Sequence, residues 1–215
     1  MEAMGDREEK QSVSEQIETN TEEKQTWKAP DEGNFGRVAQ NTAKSLKQES
    51  GINQVEMARA DAIAAHPLWR KSVVCITQLE ASREFCRHDV THFLDVARLA
   101  WIENLERGLG VSKEEIYAAA LLHDIGRHLQ YEKGIPHDEA SVQLGGQILS
   151  DCGFSADAKK RILEAIGGHR NKDTKTRDDL CGLIYRADKG SRMCLLCQAE
   201  KACNWSEEKK NRHIR

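Results

Sequence analysis

The sequence lacks several features that would place it in common protein classes. It contains no run of about 18 apolar residues, so we expect no membrane span. Its first residues lack the apolar core of a signal peptide. No stretch alternates polar and apolar residues for long enough to predict a strand. The net charge of −3 gives no sign of the basic face that general nucleic-acid binding requires.

The size and cysteine content of the chain predict an intracellular domain. At 215 residues, with 39% hydrophobic content, the chain can bury one core and carry extensions. Its seven cysteines are an odd number, which fits a reducing cytoplasm better than a disulfide framework. We expect a polar leader over residues 1–53, a helical domain over 54–192 and a Cys-containing basic tail over 193–215. The sequence does not indicate an oligomeric state.

Residues 1–53 are polar and are acidic in their first half. Their few large apolar side chains would bury too little area to offset the entropy of ordering the segment. This composition favours a disordered or loosely attached leader. The alternative is a partner-binding arm with Trp27 and Phe35 as anchors.

Beyond the leader, apolar residues recur at helical spacing, which begins at Val55. Pro67 suits the first turn of a second helix, in which Trp69, Val73, Ile76 and Leu79 share a stripe. Cys75 and Cys86 lie in or near this layer and are expected to be small core residues. A third helix is expected over about 88–107.

The second half of the chain continues the same pattern. Residues 112–115 have the form of a capping box that opens the next helix. A loop is expected over 131–136, which contains Gly134 and Pro136. Further helices are expected over about 137–150, from Ser155 onward and over about 180–188. The predicted fold class is therefore all-α, a compact helical bundle.

His123 and Asp124 close an apolar helical run, Ile116 to Leu122. Burying a polar pair at such a place is costly unless the pair has partners, and a metal ion is one such partner. Neutral imidazole and carboxylate together suit Zn, Mn, Fe or Ni. Alone, the dipeptide is common and indicates little.

The pair lies among other residues of the same chemistry. His92 shares one face with His88, Val96 and Leu99 of the predicted third helix, so it points inward, although a core histidine would do the same. Further along come His137, His169 and an Ala-Asp-Lys at 187–189.

In this order and spacing, residues 87–192 resemble the HD superfamily of metal-dependent phosphohydrolases. The resemblance rests on a His four residues before a Val-Ala pair, an Ala-rich helix that ends in Leu-Leu-His-Asp-Ile-Gly, two isolated downstream His and the Ala-Asp-Lys. The subgroup with a two-metal site is most similar, and it includes symmetrical dinucleoside tetraphosphate hydrolases. The resemblance implies an HD-type helical bundle that hydrolyses a nucleotide or a related phosphate ester.

The candidate ligands are four His and two Asp, which are too many for one ion and suit two ions that share a carboxylate. They are His92, His123, Asp124, His137, His169 and Asp188. The resemblance assigns the pair 123–124, with His92 and Asp188, to a first ion and Asp124, His137 and His169 to a second. Asp124 and His123 would thus be the catalytic core, with two ions of Fe, Mn, Co, Ni or Zn. Two such ions, roughly 3.5–4 Å apart, can activate a water for in-line attack on phosphorus.

Basic residues next to these ligands are the candidates for a phosphate clamp, although each can be an ordinary surface charge. In sequence the nearest are Arg87, Arg127, Arg170 and Lys189. The His-His-Glu and Asp-Gly-x-Gly-Tyr-Pro runs of cyclic-dinucleotide members do not occur in this chain. The 131–136 loop is also brief beside that of tetraphosphate hydrolases, so the resemblance does not name the substrate.

The tail contains three thiols, Cys194, Cys197 and Cys203, one fewer than a closed zinc site requires. Cys181 or His213 could supply a fourth ligand to a structural zinc, and the alternative is a short extension with packed thiols.

Two other functional classes fit the ligand set. Some superfamily members with four His and two Asp hold di-iron and oxidise a C–H bond. A non-catalytic nucleotide-sensing module is the second alternative, because the leader and the tail could both contact partners.

Overall fold

The computed structural model describes residues 57–214, and the earlier expectations for the leader over 1–53 lie outside them. Within this range the regular elements are helices and no strand occurs, which confirms the all-α fold class. The α-helices are α1 (Ala58–Ala65), α2 (Pro67–Leu79), α3 (Val90–Glu106), α4 (Lys113–Leu122), α5 (Arg127–Lys133), α6 (His137–Asp151), α7 (Ala156–Gly168) and α8 (Leu180–Gly190). Short 3₁₀ helices occupy Lys172–Thr176, Glu200–Ala202 and Glu207–Lys209.

Local signals in the sequence account for most helix boundaries. Asp89, Ser155 and Asp179 cap α3, α7 and α8, because each side chain accepts a backbone N–H from the first turn. Pro67 begins α2, where its missing N–H costs nothing. Gly134 ends α5 with φ of 71°, a left-handed conformation that glycine adopts without strain.

The capping box predicted at the start of α4 is wrong. Ser112 is the N-cap residue, but its side chain makes no capping hydrogen bond. Glu114 is instead buried and accepts hydrogen bonds from the backbone N–H and the guanidinium of Arg59. Glu115 binds the guanidinium of Arg161 on α7. Both carboxylates are therefore used between helices rather than at their own helix end.

Three further details differ from expectation. Tyr131 lies in α5 rather than in a loop, so the connection to α6 begins only at Gly134. Leu79, in the last turn of α2, is 45% exposed. Cys75 is half-buried and Cys86 is exposed, because Cys86 lies in the irregular segment after α2 and not on its inner face.

Helix α4 is the centre of the bundle. Ile116, Leu122 and the three alanines between them have no solvent exposure. A helix that is apolar on every side must be covered on every side, and α1, α3, α7 and α8 all pack against α4. This arrangement carries the residues that directly follow α4 into the interior.

The turn after α4 is held by hydrogen bonds from other helices. The indole N–H of Trp69 donates to the carbonyl of Leu121 at 2.8 Å, and the backbone N–H of Gly126 donates to the hydroxyl of Ser141 at 2.9 Å. None of the helices between residues 57 and 214 has the length and apolar character needed to cross a membrane.

Gly126 is the point at which the turn touches α6 without space for a side chain. A Cβ added there would lie 2.5 Å from the carbonyl oxygen of His137 and 2.5 Å from the backbone nitrogen of Ser141. Because both are backbone atoms, they can move away only if the main chain of α6 shifts. We predict that Gly126→Ala lowers the free energy of unfolding by roughly 1–3 kcal/mol, the usual range for overpacking.

The matched control is Gly146→Ala, which lies within α6, the helix that Gly126 contacts. A Cβ there would meet only the flexible end of Leu163, at 3.8 Å. Alanine in a helix interior is favoured over glycine by roughly 0.5–1 kcal/mol, so this variant should be neutral or slightly more stable. Urea unfolding of both variants checks the prediction, which equal midpoints would contradict.

Candidate metal centre

Polar side chains from four helices and the turn after α4 meet in the interior of the bundle. They come from α3, from the turn after α4, from the start of α6, from the end of α7 and from α8. The six residues are 7% exposed or less, and they are His92, His123, Asp124, His137, His169 and Asp188. Their ligand atoms form two groups, and within each group the atoms lie within 4.8 Å of one another. Asp124 belongs to both groups.

The first group surrounds one oxygen of Asp124. His123 Nε2 lies 3.4 Å and His92 Nε2 lies 3.7 Å from Asp124 Oδ2. The same two nitrogens lie 3.9 Å and 3.6 Å from Asp188 Oδ1. Two imidazoles and two carboxylates thus point at a common centre.

The second group surrounds the other oxygen of Asp124. His137 Nε2 lies 3.2 Å and His169 Nε2 lies 3.6 Å from Asp124 Oδ1. The two imidazole nitrogens are themselves 3.2 Å apart. The carboxylate of Asp124 therefore presents one oxygen to each group, as a bridging ligand would.

Hydrogen bonds at Nδ1 fix the tautomer of three of these rings. The Nδ1–H groups of His123 and His169 donate to the carbonyls of Ala120, at 2.7 Å, and Ile166, at 2.6 Å. The Nδ1 atom of His137 is bonded to the side-chain oxygen of Gln130. Because a carbonyl oxygen can only accept, Nδ1 carries the proton in each neutral ring and Nε2 carries a lone pair.

His92 follows the same rule through a hydroxyl. The hydroxyl of Ser191 donates to the carbonyl of Asp188 at 2.8 Å, so its oxygen accepts from Nδ1 of His92 at 3.1 Å. The Nε2 atoms of His92 and His123 and both carboxylate oxygens of Asp124 are buried without a hydrogen-bond partner among the described residues. Buried acceptors without donors are costly, and divalent cations held at the two groups would satisfy them. The donor set of imidazole and carboxylate fits a transition metal.

The charges around the centre keep both carboxylates ionised. Burial raises the pKa of Asp124, but the positive charges of Arg127 and His123 outweigh burial and hold that pKa well below its usual range. Burial likewise raises the pKa of Asp188, and Lys189, His123 and Arg192 together bring it below its ordinary value.

Burial acts to lower the pKa of three of the imidazoles, the opposite of its effect on the carboxylates. It lowers the pKa of His92, and it lowers that of His137 to about 3. Burial also lowers the pKa of His123, but the adjacent charge of Asp124 more than offsets it and leaves that pKa raised. The neutral form, which a metal ion requires, is thus already favoured at His92 and His137.

Two of the four predicted clamp residues lie at the centre. Arg127 Nε is 3.0 Å from Asp124 Oδ2, although not in hydrogen-bonding geometry, and Lys189 Nζ contacts Asp188 Oδ2. Arg192, which the sequence did not single out, donates to Asp188 Oδ1 at 3.0 Å. Its only signal was its position four residues after Asp188, just beyond the end of α8.

The other two predicted clamp residues are not brought to the ligands. Arg170 is exposed and pairs with Asp138 at 3.1 Å. Arg87 is exposed and donates to the carbonyl of Ala81 at 3.0 Å. Proximity in sequence was the only basis for both, and it says little about the direction of a long side chain.

A chain of hydrogen-bonded polar residues, of which His88 and Glu80 are buried, borders the first group and was also missed. His88 Nε2 lies 3.8 Å from Asp124 Oδ2, and its Nδ1–H donates to Glu80 at 2.6 Å. Glu80 also accepts from the hydroxyl of Tyr131 at 2.6 Å. Burial acts to raise the pKa of Glu80, but hydrogen bonds and charge from His88 lower it to about 2. The spacing of His88 and His92 placed them on one face, but nothing in the sequence pointed to Glu80.

The three tail thiols line one cavity of about 360 Å³ beside this centre. Among the described residues, however, they are not part of any group of three ligands within 4.8 Å of one another. Cys181 is buried in α8, and His213 is exposed. Structural zinc at Cys194, Cys197 and Cys203 stays a prediction, which metal analysis of a Cys197→Ser variant would test.

Comparisons with known proteins identify a domain family for the helical part of the chain. A family model described as HD domain matches residues 89–193. An uncharacterized protein of Clostridium beijerinckii is 46% identical over 134 residues, which are 62% of this chain and 83% of the relative. No solved structure matches the chain significantly.

More distant relatives carry the name ribonuclease Y. The protein of Oleidesulfovibrio alaskensis is 27% identical over 126 residues, which are 59% of this chain and 22% of the relative. That of Pelobacter propionicus is 26% identical over 154 residues, which are 71% of this chain and 27% of the relative. The chain thus matches only about a quarter of these longer proteins.

The buried histidines predict how stability depends on pH in protein treated with chelator. Burial lowers the pKa of His88 to about 4 and that of His137 to about 3, from 6.5. Between about pH 6.5 and pH 4 the unfolded chain therefore binds more protons than the folded one. The free energy of unfolding should fall as the pH falls, with a slope that approaches roughly 2–3 kcal/mol per pH unit for the two residues.

Urea unfolding at several pH values measures this slope. His88→Gln and His137→Gln should each flatten it, whereas His213→Gln, at an exposed position, should not. A slope that neither buried substitution changes would contradict the prediction.

Proposed function

The chain belongs to the HD domain family over residues 89–193, and from that premise we propose that it is a metal-dependent phosphohydrolase that acts on a nucleotide or a related phosphate ester. Metal-dependent hydrolysis is the general activity of this family. The substrate, the number of ions and the ligand assignment are our proposals.

The opposed lone pairs of the second group are the observation that supports metal binding most strongly. With Nδ1 of both His137 and His169 used as a donor, their Nε2 lone pairs face each other at 3.2 Å and face Asp124 Oδ1. Three acceptors that converge in the interior repel one another unless a cation lies between them.

We assign two ions to the two groups. His92, His123, Asp124 and Asp188 would hold the first ion, and Asp124, His137 and His169 would hold the second. When bound, the ions would lower the pKa of a coordinated water and stabilise negative charge that develops on phosphate oxygens. Asp124 would link the two ions, since each of its oxygens already faces one group.

The chain's own residues would bind and orient the phosphate. Arg127, Lys189 and Arg192 bring three positive charges to the edge of the centre. Arginine matches the geometry of phosphate oxygens with paired donors, whereas lysine acts as a point charge. Burial of the ligands keeps competing water out of the site and strengthens each of these interactions.

One alternative is oxidation of a C–H bond by a di-iron centre held by the same ligands. The other is a non-catalytic module that binds a nucleotide without hydrolysing it. Metal analysis of protein purified without added metal separates them. Stoichiometric iron with oxygen-dependent turnover would favour the oxygenase. Tight nucleotide binding without turnover under any divalent metal would favour the sensor.

Phosphate release from nucleotides and cleavage of RNA, followed by gel electrophoresis, test the proposal directly. The panel should contain nucleoside mono-, di- and triphosphates and a short single-stranded RNA, because several relatives are named ribonuclease Y. RNA needs its own readout, since hydrolysis of an internal phosphodiester releases no free phosphate. Each substrate is tested with Mn, Fe, Co, Ni and Zn. We expect turnover of at least one substrate that is lost on chelation and restored by metal; no turnover with any combination would contradict the proposal.

Substitution of Asp124, which would serve both ions, should lower activity more than substitution of a ligand that would serve one ion. We predict that Asp124→Ala lowers activity by more than about 100-fold, the upper end for residues that only orient a ligand, because both ions lose a ligand. His137→Ala should keep the first ion and lose the second. Metal content and turnover are measured together on each variant.

Asp95→Ala is the matched control, because Asp95 is a half-exposed residue of α3 whose only ion pair within residues 57–214 is with Arg98. It should keep full metal content and activity. Activity retained in Asp124→Ala with unchanged metal content would refute the ligand assignment.

A further inference from the structure

The cavity beside the metal centre combines positive charge with aromatic surface. Its volume of about 360 Å³ lies within the range of small-molecule sites. One side is formed by the edge of the centre and the other by the C-terminal segment, residues 194–210. The lining residues that matter here are Arg83, Phe85, Arg127, Arg192, Trp205 and Lys210.

The C-terminal wall is fastened to the end of α8. The side-chain amide of Asn211 donates to the carbonyls of Lys189 at 2.7 Å, Gly190 at 3.1 Å and Arg192 at 3.0 Å. These carbonyls lie at a helix end, where no intrahelical donor reaches them. One side chain thus holds the segment that carries Trp205 against the helix that carries Asp188.

Arg192 connects the metal centre to the aromatic wall. Its guanidinium donates to Asp188 Oδ1 at 3.0 Å and lies 3.3 Å from His88 Nε2. The same guanidinium lies over the ring of Trp205, 5.8 Å from its centre. Its Nε–H is buried and has no hydrogen-bond partner within residues 57–214. A ligand that reaches Arg192 can therefore touch both the centre and the indole.

The charge of the cavity selects an anion. Four cationic side chains line it, and Glu200, which pairs with Arg212, is the acidic side chain among the lining residues. Arg127, Arg192 and Lys210 also pair with Asp124, Asp188 and Glu207, whereas Arg83 has no ion pair among residues 57–214. An anion alone would not use the aromatic side, and an apolar molecule alone would not use the cationic side. A nucleotide has a phosphate for one side and a base for the other, and bases stack on aromatic rings.

We propose that this cavity is a nucleotide subsite, in which Arg83 and Arg192 bind the phosphate and Trp205 stacks on the base. The proposal narrows the substrate class of the phosphohydrolase and rests on that function for its catalytic meaning. Nucleotide binding itself does not depend on turnover, so it can be tested separately.

Two non-cleavable probes separate the base from the phosphate. The first is α,β-methylene-ADP, and the second is the methyl ester of methylenediphosphonate, which carries the same phosphonate groups without the nucleoside. Isothermal titration of the full chain, loaded with Mn, measures the affinity of both. We expect the nucleoside probe to bind about tenfold more tightly, within the range seen when single stacking residues are removed.

Variants of the two walls then test the named residues. Trp205→Ala should abolish the preference for the nucleoside probe and leave the affinity for the methyl ester unchanged. Trp205→Phe should keep most of the preference. Arg83→Ala should lower the affinity for both probes by a similar factor. Trp101→Ala, at a half-buried tryptophan that lines a different surface depression, is the matched control and should change neither.

The outcomes distinguish this proposal from the proposed function. Equal binding of the two probes to the unmodified chain, or a preference that survives in Trp205→Ala, would overturn the nucleotide subsite even if phosphate esters are hydrolysed. A preference that depends on Trp205 would support the subsite even if no phosphate is released, and the phosphohydrolase proposal alone would then fail.

Discussion

The mutual repulsion of buried acceptors is the constraint on which the rest of this structure depends. Four imidazole lone pairs and two carboxylates point at one another from five parts of the bundle, and each of these residues is almost entirely buried. Each ring is locked in this orientation by a hydrogen bond to its far nitrogen. Such an arrangement is unfavourable for folding alone, so it indicates that function, rather than packing, determined these residues.

The scaffold meets this constraint by placing its most apolar helix directly before the most polar turn. The small side chains of α4 let four helices approach it closely, and together they carry His123 and Asp124 to the interior. Gly126 then lets the turn pass against α6, which brings His137 to the other side of Asp124. Packing, turn geometry and ligand position are therefore not independent, and a change in one should disturb the others.

The sequence was informative where chemistry and periodicity coincide. The all-α class followed from helical spacing, and the convergence of all six ligand candidates was expected from the pattern they share with the HD family. Long polar side chains were harder to predict. Arg87 and Arg170 are close to ligands in sequence but turn to the surface, whereas Arg192 reaches the centre from one helical turn beyond Asp188.

Contacts between distant segments could not be read from a local pattern. Glu80 reaches His88 across the irregular segment after α2, and Glu114 serves Arg59 on another helix rather than its own helix end. The cavity beside the end of α8 also depends on distant segments, because Asn211 fastens the C-terminal segment there and Trp205 lines the cavity. Tertiary contacts decide these features, and single-sequence propensity does not report them.

Anomalous X-ray scattering from crystals grown with Mn is the most direct test of two ions that share Asp124. The account predicts two peaks, one among His92, His123, Asp124 and Asp188 and the other among Asp124, His137 and His169, with one oxygen of Asp124 at each. A single peak, or metal bound only away from Asp124, would contradict it.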